Sequence, residues 1–259
     1  MQDITLKKCI GIASYFPEEP ARTKRINRFN QLIQKINSIW PNLDILIVAQ
    51  NWKDYQLPEV SNKITVYKYD NPLTIVGARN TLREKFLTET DYDYIIMLDD
   101  DAIISCESQE VANEYLKTID EHPDMFCFIH DADHWHKCDD YIKAPLNLCA
   151  ISRAIYEKEL IPDMYLEKNE ALEDDIYAVL LHIKYADAEF LPPEGIKCTH
   201  AVGGVYYIMQ LMGHGFPSTW FNNQTNFQII INNTNISMDY IVVNKDYNKD
   251  KIKTDTLWR

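Results

Sequence analysis

The sequence predicts an α/β fold built on an open, mostly parallel sheet with helices on both sides. Segments typical of strands and helices follow one another in the order β-α-β-β-α-β-α-β, and this alternation favours such a sheet. Two strand segments, 43–50 and 93–100, are nearly continuous in apolar residues, as expected of parallel strands covered on both faces. The length of 259 residues suits one large domain with a substantial core.

The strands and the first helix follow from local patterns. Strands are predicted at 7–16, 43–50, 63–69, 93–100, 125–131 and 146–153. The first helix lies between the first two strands, where apolar residues recur at alternating spacings of three and four: Ile26, Phe29, Ile33, Ile36 and Trp40. Its basic residues fall largely on other faces and are expected to be solvated: Arg22, Lys24, Arg25, Arg28 and Lys35.

Three further helices complete the pattern. The second begins near Ala78 and turns Leu82 and Phe86 inward. The third covers about 108–121, where an apolar residue returns every fourth position. The fourth, about 173–184, carries an apolar face behind a first turn rich in carboxylates. Such a first turn is also what ordinary helix capping and dipole compensation produce.

The composition excludes some classes of function. The chain has 26 basic against 39 acidic residues and a net charge of −13, which makes nucleic acid an improbable partner because that affinity comes largely from phosphate neutralisation. Six cysteines occur without a CxxC pair, so we expect a reduced, cytoplasmic protein. No transmembrane segment or signal peptide is expected, which leaves peripheral contact with a membrane open.

Familiar phosphate and calcium motifs are missing. The sequence has no GxGxxG after its first strand and no GxxxxGK[ST], so it supports neither a dinucleotide-binding Rossmann site nor a P-loop. An EF-hand loop also fails, because Asp101 is followed by Ala102, Ile103 and Ile104 rather than by alternating oxygen ligands.

Three consecutive carboxylates, Asp99, Asp100 and Asp101, end the apolar strand 93–100. Carboxylates about 4 Å apart repel by about 4 kcal/mol per pair at an effective dielectric of about 20. We therefore expect a cation at the triplet. Hard oxygen ligands suit Mg²⁺ or Mn²⁺. On an extended backbone Asp99 and Asp101 would project to one side and Asp100 to the other. The carboxyl ends of strands are where open α/β sheets bind ligands.

Four segments, in order, resemble the signatures of glycosyltransferase family 2 enzymes, which have the GT-A fold. "VGARNTLREKFLTETDYDYIIMLDDDAII" (76–104) is similar to the family's central helix and its strand ending in Asp-x-Asp. "ALEDDIYAVLL" (171–181) resembles the Glu-Asp motif that heads the catalytic helix, and "CTHAV" (198–202) resembles the late strand with a metal-binding histidine. "SYFPEEPARTKR" (14–25) takes the place of the family's first turn and departs from its pattern.

The resemblance implies a Rossmann-like GT-A catalytic domain, typical of nucleotide-diphospho-sugar transferases, over 1–204. Residues 205–259 would form a C-terminal extension packed on the same domain, and 227–244 suggests two antiparallel strands there. The implied activity is metal-dependent, inverting transfer of a sugar from a nucleotide-sugar, most simply a UDP-sugar. The acceptor would be a hydroxyl of a glycan, a lipid-linked glycan or another molecule.

The resemblance also implies roles for single residues. Asp99 would lie near the donor ribose and the metal, with Asp100 among the donor contacts. Asp101 and His200 would coordinate Mn²⁺ or Mg²⁺, and Arg79 would face the donor. His214 is a competing late histidine.

Asp174 would be the general base that deprotonates the acceptor hydroxyl, and Asp175 is the alternative because the Glu-Asp-Asp run allows a shift of one. Three residues at strand ends are expected to contact the nucleoside: Ser14, Gln50 and Asn51.

The segment "FIHDADHWHKCDD" (128–140) keeps two other functions open. Its His130, Asp131, His134 and His136 could form the centre of a metal-dependent hydrolase. The same segment could line an acceptor pocket, with Trp135 stacked on a sugar ring, or be a polar surface loop. A carbohydrate-binding protein that has the fold without turnover is the third hypothesis.

Overall fold

A computed structural model describes residues 5–71, 73–127, 146–160, 177, 181 and 184–200. The strands are β1 Lys8–Tyr15, β2 Asp44–Gln50, β3 Ile64–Tyr69, β4 Tyr94–Asp99, β5 Ala102–Cys106, β6 Phe126–Cys127, β7 Cys149–Ser152 and β8 Ile196–His200. The α-helices are α1 Ala21–Ile39, α2 Ile75–Glu89, α3 Gln109–Asp120 and α4 Arg153–Lys158, and a 3-10 turn covers Ala186–Ala188.

The main sheet has six strands in the order β3-β2-β1-β4-β7-β6. The four strands from β3 to β4 are parallel, whereas β7 runs antiparallel to β4 and to β6. This confirms the mostly parallel sheet predicted from the sequence.

Two hydrophobic layers cover the two faces of this sheet. Ile96 and Leu98 of β4 pack in the layer that also contains α1 and α3. Ile95 and Met97 point the other way, into the layer with α2 and α4. Alternate residues of β4 are therefore buried on opposite faces, which explains its unbroken apolar run.

Helix α1 buries the predicted apolar stripe together with one charged residue. Phe29, Ile33 and Ile36 are fully buried, as their spacing predicts. Arg25 is also buried, so its assignment to a solvated basic face was wrong. Arg25 lies four residues before Phe29 and therefore shares its stripe, which directs the guanidinium to the end of the sheet.

The predicted helices α2 and α3 are confirmed, with a shifted start for α2. That helix begins at Ile75, three residues before the predicted Ala78, because the Thr74 hydroxyl accepts a hydrogen bond from the Gly77 N–H at 2.9 Å. The Ser108 hydroxyl caps α3 in the same way.

A second, two-stranded sheet pairs β5 with β8 in antiparallel register. Strand β5 was not predicted, because its five residues follow the Asp triplet after a short turn at Asp100 and Asp101. The register places Ala102 opposite His200. The pairing of β5 with β8 thus places the residue that follows the Asp triplet beside the strand that ends at His200.

Several predicted features lie outside the described residues. These are the 128–140 segment, most of the predicted 173–184 helix, and the C-terminal extension 205–259 with its two predicted strands. Among the helices that the structure describes, none combines the length and apolarity needed to cross a membrane.

Candidate functional site

The Asp triplet lies where the strand order of the main sheet reverses. Strand β1 leads through α1 to β2 on one side, whereas β4 has β7 and β6 on its other side. Asp99 pairs in register with Ala13 of β1, so the carboxyl ends of β1 and β4 meet there. In open α/β sheets the crevice at such a reversal is the usual place for a ligand.

The three carboxylates do not alternate as an extended backbone would require. Strand β4 ends at Asp99, and Asp100 and Asp101 occupy a turn. Both turn residues direct their carboxylates to Arg25, whereas Asp99 pairs with Arg79. The expected projection of Asp99 and Asp101 to one side is therefore wrong, because the turn regroups Asp101 with Asp100.

Asp100 is bound entirely by the chain itself. One carboxylate oxygen accepts hydrogen bonds from the Ser14 hydroxyl and the Tyr15 N–H, both at 2.9 Å, and the other pairs with Arg25. Burial raises the pKa of Asp100 to about 6, and the Arg25 charge opposes this rise. The observed contacts make Asp100 a residue that fixes the ends of β1 and β4.

Arg25 bridges the two buried carboxylates of the turn. Its two terminal nitrogens bind Asp100 and Asp101, and its Nε has no hydrogen-bond partner within the described part of the chain. Burial lowers the pKa of Arg25, but the charges of Asp100 and Asp101 outweigh burial and the pKa is raised. Arg25 is therefore a permanent cation inside the carboxylate cluster.

Asp99 is the most exposed member of the triplet. Its side chain is 17% exposed, against 2% for Asp100 and 4% for Asp101. Arg79 is the fifth residue of α2. It is buried and donates to Asp99 Oδ1 at 2.6 Å. Arg79 thus holds the Asp99 carboxylate, which remains partly exposed.

Asn147 supports Asp99 from behind. Its Oδ1 accepts a hydrogen bond from the Asp99 N–H at 3.2 Å, and the side chain is almost fully buried. Its Nδ2 has no partner among the residues that the structure describes. A buried amide donor beside the triplet has the chemistry to bind a ligand oxygen.

The three residues predicted to contact the nucleoside lie at this edge of the sheet, where their side chains bind other residues of the chain. Ser14 is buried between Asp100 and the Trp52 indole, which donates to its hydroxyl at 3.0 Å. Gln50 accepts from the Leu73 N–H at 2.6 Å and so fixes the loop before α2. Asn51 has a left-handed backbone, with φ 53°, and donates to the Phe16 carbonyl at 2.7 Å.

Carboxylate oxygens are the ligand type that a hard divalent cation prefers. Three carboxylates face two guanidinium groups, which leaves one net negative charge. No three described His, Cys, Asp or Glu side chains converge as ligands of one ion. Mg²⁺ and Mn²⁺ sites are commonly completed by water and substrate phosphate. The backbone of His200 pairs with that of Ala102, the residue after Asp101.

Other predicted site residues fall outside the described part of the chain. These are Asp174 and Asp175, and the histidine cluster of the hydrolase hypothesis. In the other direction, sequence reasoning missed two residues that contact the triplet. Arg25 could have been found from its spacing to Phe29, whereas nothing in the local pattern distinguishes Asn147.

Comparison with known proteins identifies the fold. No protein-family model and no curated protein matches the chain. Among solved structures, S. aureus TarS matches 95% of this chain with a TM-score of 0.50 and 11% identity, and the match spans 46% of the TarS chain. The chain has the GT-A-like fold of nucleotide-diphospho-sugar transferases. At this identity the likeness concerns the fold alone.

Two other matches are glycosyltransferase structures at lower similarity. GlyE of Streptococcus pneumoniae TIGR4 covers 81% of this chain and 51% of its own, with a TM-score of 0.44 and 13% identity. A glycosyltransferase involved in glycosylation of the PBCV-1 major capsid covers 71% of this chain and 80% of its own, with a TM-score of 0.38 and 15% identity.

Proposed function

We propose that this protein is a glycosyltransferase that moves a sugar from a nucleotide-diphospho-sugar to an acceptor hydroxyl. The observation that carries the proposal is the Asp triplet at the sheet reversal of a GT-A-like fold, with Asp99 partly exposed and paired with Arg79. The placement at the carboxyl ends of β1 and β4 supports a donor site.

The donor is proposed to be a UDP-sugar bound with Mn²⁺ or Mg²⁺. Asp99, Asp101 and His200 would hold the cation, which would stabilise the negative charge that develops on the departing diphosphate. Arg79 lies beside Asp99, where a guanidinium also attracts phosphate oxygens. The net negative charge of the cluster and the pairing of Ala102 with His200 support this ligand set.

Transfer is proposed to proceed with inversion. Asp174, or Asp175 after a shift of one, would take the proton of the acceptor hydroxyl as its oxygen attacks the anomeric carbon. We propose that the acceptor is a hydroxyl of a glycan or of a lipid-linked glycan. A lipid-linked acceptor would be reached at the bilayer surface. Cys9, Cys127 and Cys149 are buried free thiols, which supports the reducing cytoplasm as its compartment.

Release of the nucleoside diphosphate tests the proposal. The full chain is incubated with Mn²⁺, a panel of UDP-sugars and GDP-sugars, and mono- and disaccharide acceptors, and free UDP or GDP is quantified. We expect release from at least one donor, reduced at least about a hundredfold in Asp99→Asn.

A matched control is available at the opposite end of the same strand. Asp91 is an exposed carboxylate that pairs with Lys7, so Asp91→Asn should release nucleotide as the wild type does. No release from any donor, or equal release by Asp99→Asn, would contradict the proposal.

A further inference from the structure

Two arginines near opposite ends of β4, the half-buried Arg153 and the buried Arg25, have different kinds of partner. Arg153 donates to main-chain carbonyls of Phe86, Leu87, Thr90 and Tyr92, at the amino end of β4. Arg25 instead binds two carboxylates, Asp100 and Asp101, at the carboxyl end. Arg153 fixes backbone, whereas Arg25 supplies charge to the site.

The Arg25 cluster is closed to solvent. The side-chain exposure is 9% for Arg25, 2% for Asp100 and 4% for Asp101. A buried carboxylate needs a compensating cation, and loss of one partner leaves its charge unpaired. Arg25 thus provides, from within the chain, the compensation that a bound metal ion would otherwise give to Asp101.

We propose that Arg25 is a positioning residue that shares the Asp101 carboxylate with the divalent cation and thereby limits the affinity of the site for metal. The inference rests on the proposed function. One Asp101 oxygen is engaged by the Arg25 guanidinium, so a cation at Asp101 meets both a partly occupied ligand and a like charge close by. When no cation is bound, Arg25 keeps Asp100 and Asp101 together.

Removal of the Arg25 charge should therefore tighten metal binding while it weakens the metal-free fold. In Arg25→Gln we expect the Kd for Mn²⁺ to fall by at least about tenfold, because a positive charge leaves the cluster. Without metal, Arg25→Gln should have a lower melting temperature than the wild type. Saturating Mn²⁺ should raise the melting temperature of Arg25→Gln more than that of the wild type. Loss of a merely structural arginine would lower the melting temperature without changing the metal affinity.

The experiment is calorimetric titration of Mn²⁺ into the full chain without nucleotide, together with melting curves with and without Mn²⁺. Arg153→Gln is the control: it removes a half-buried arginine at the other end of β4 and should leave the Kd for Mn²⁺ within about twofold. If Arg25→Gln does not fold, Arg25→Gln combined with Asp100→Asn removes one charge of each sign but still frees the Asp101 oxygen, so tightening by a smaller factor is expected.

The outcomes separate this inference from the proposed function. If the wild type binds Mn²⁺ and the Arg25 variants bind it equally or more weakly, the Arg25 inference is overturned and the glycosyltransferase proposal stands. If neither the wild type nor any Arg25 variant binds Mn²⁺, the metal part of both proposals fails. Tighter binding in the variant, including binding seen only there, supports the inference.

Discussion

Arg79 and Asp99 form an ion pair across 2.6 Å that joins α2 to the carboxyl end of β4. The arginine is buried, whereas the carboxylate is partly exposed. Asp100, the next residue, is almost fully buried, and Ser14, Tyr15 and Arg25 bind its two carboxylate oxygens. We therefore expect the two aspartates to have separable roles, Asp99 toward a ligand and Asp100 toward the fold.

Asp99→Asn and Asp100→Asn should therefore differ in which property they change. Asp100→Asn is expected to lower the free energy of unfolding by about 2 kcal/mol, because it weakens buried hydrogen bonds and leaves Arg25 undercompensated. Asp99→Asn should lower the free energy of unfolding less than Asp100→Asn does and should weaken nucleotide binding more. Urea denaturation and UDP titration of both variants measure this, and equal effects of the two would refute the division.

The hydrogen-bond chain from Trp52 through Ser14 to Asp100 should stabilise the end of β1. Ser14→Ala removes the hydroxyl that accepts from the Trp52 indole at 3.0 Å and donates to Asp100 at 2.9 Å, so both partners lose a buried bond. We expect a loss of about 1–3 kcal/mol in chemical denaturation. Ser38→Ala, at an exposed helical position, is the control and should change stability by less than about 0.5 kcal/mol.

Close packing of β1 against its neighbours requires Gly11. A Cβ at this position would lie 2.5 Å from Ile95 Cδ1, 2.9 Å from Ile95 Cγ1 and 3.0 Å from Leu82 Cδ2. Gly11→Ala should therefore destabilise the fold by about 1–3 kcal/mol through overpacking.

Ile95→Val offers a test of that cause, because it removes the Cδ1 atom nearest to the new methyl group. In a double-mutant cycle Gly11→Ala with Ile95→Val should lose less stability than the sum of the two single changes. Strict additivity would show that the contact with Ile95 is not the source of the loss.

Asp174→Asn should separate catalysis from binding. A general base contributes about 10²–10⁴-fold to a rate, so nucleotide release should fall by that order while UDP affinity stays near the wild-type value. Asp175→Asn should have the smaller effect on release. A large loss in Asp175→Asn with little in Asp174→Asn would exchange the two roles, and unchanged release in both would exclude this pair as the base.

The sequence predicts those features that depend on local patterns. The apolar runs of β2 and β4 reveal strands buried on both faces, and the 3.6-residue period reveals α1 with Phe29, Ile33 and Ile36 inside. The pairing of Arg25 with Asp100 and Asp101 joins residues far apart in the chain. No local period reports such a pair, and charge alone favours an exposed arginine.

The turn at the triplet was also beyond local reasoning. Alternation along an extended strand predicts the direction of each side chain only as far as the strand continues, and β4 ends at Asp99. The pairing of β5 with β8 then depends on a contact with residues near position 200. The motif order predicts Asp101 and His200 in one site, and this stays a prediction; the structure shows that the backbones of Ala102 and His200 are paired.

The most direct test of the central claim is calorimetric titration of UDP into the wild-type chain and into Asp99→Asn, each with Mn²⁺ and with a chelator. The account predicts binding that requires Mn²⁺ in the wild type and is lost in Asp99→Asn. Absence of UDP and GDP binding in the wild type, or Mn²⁺-dependent binding that Asp99→Asn retains in full, would contradict it.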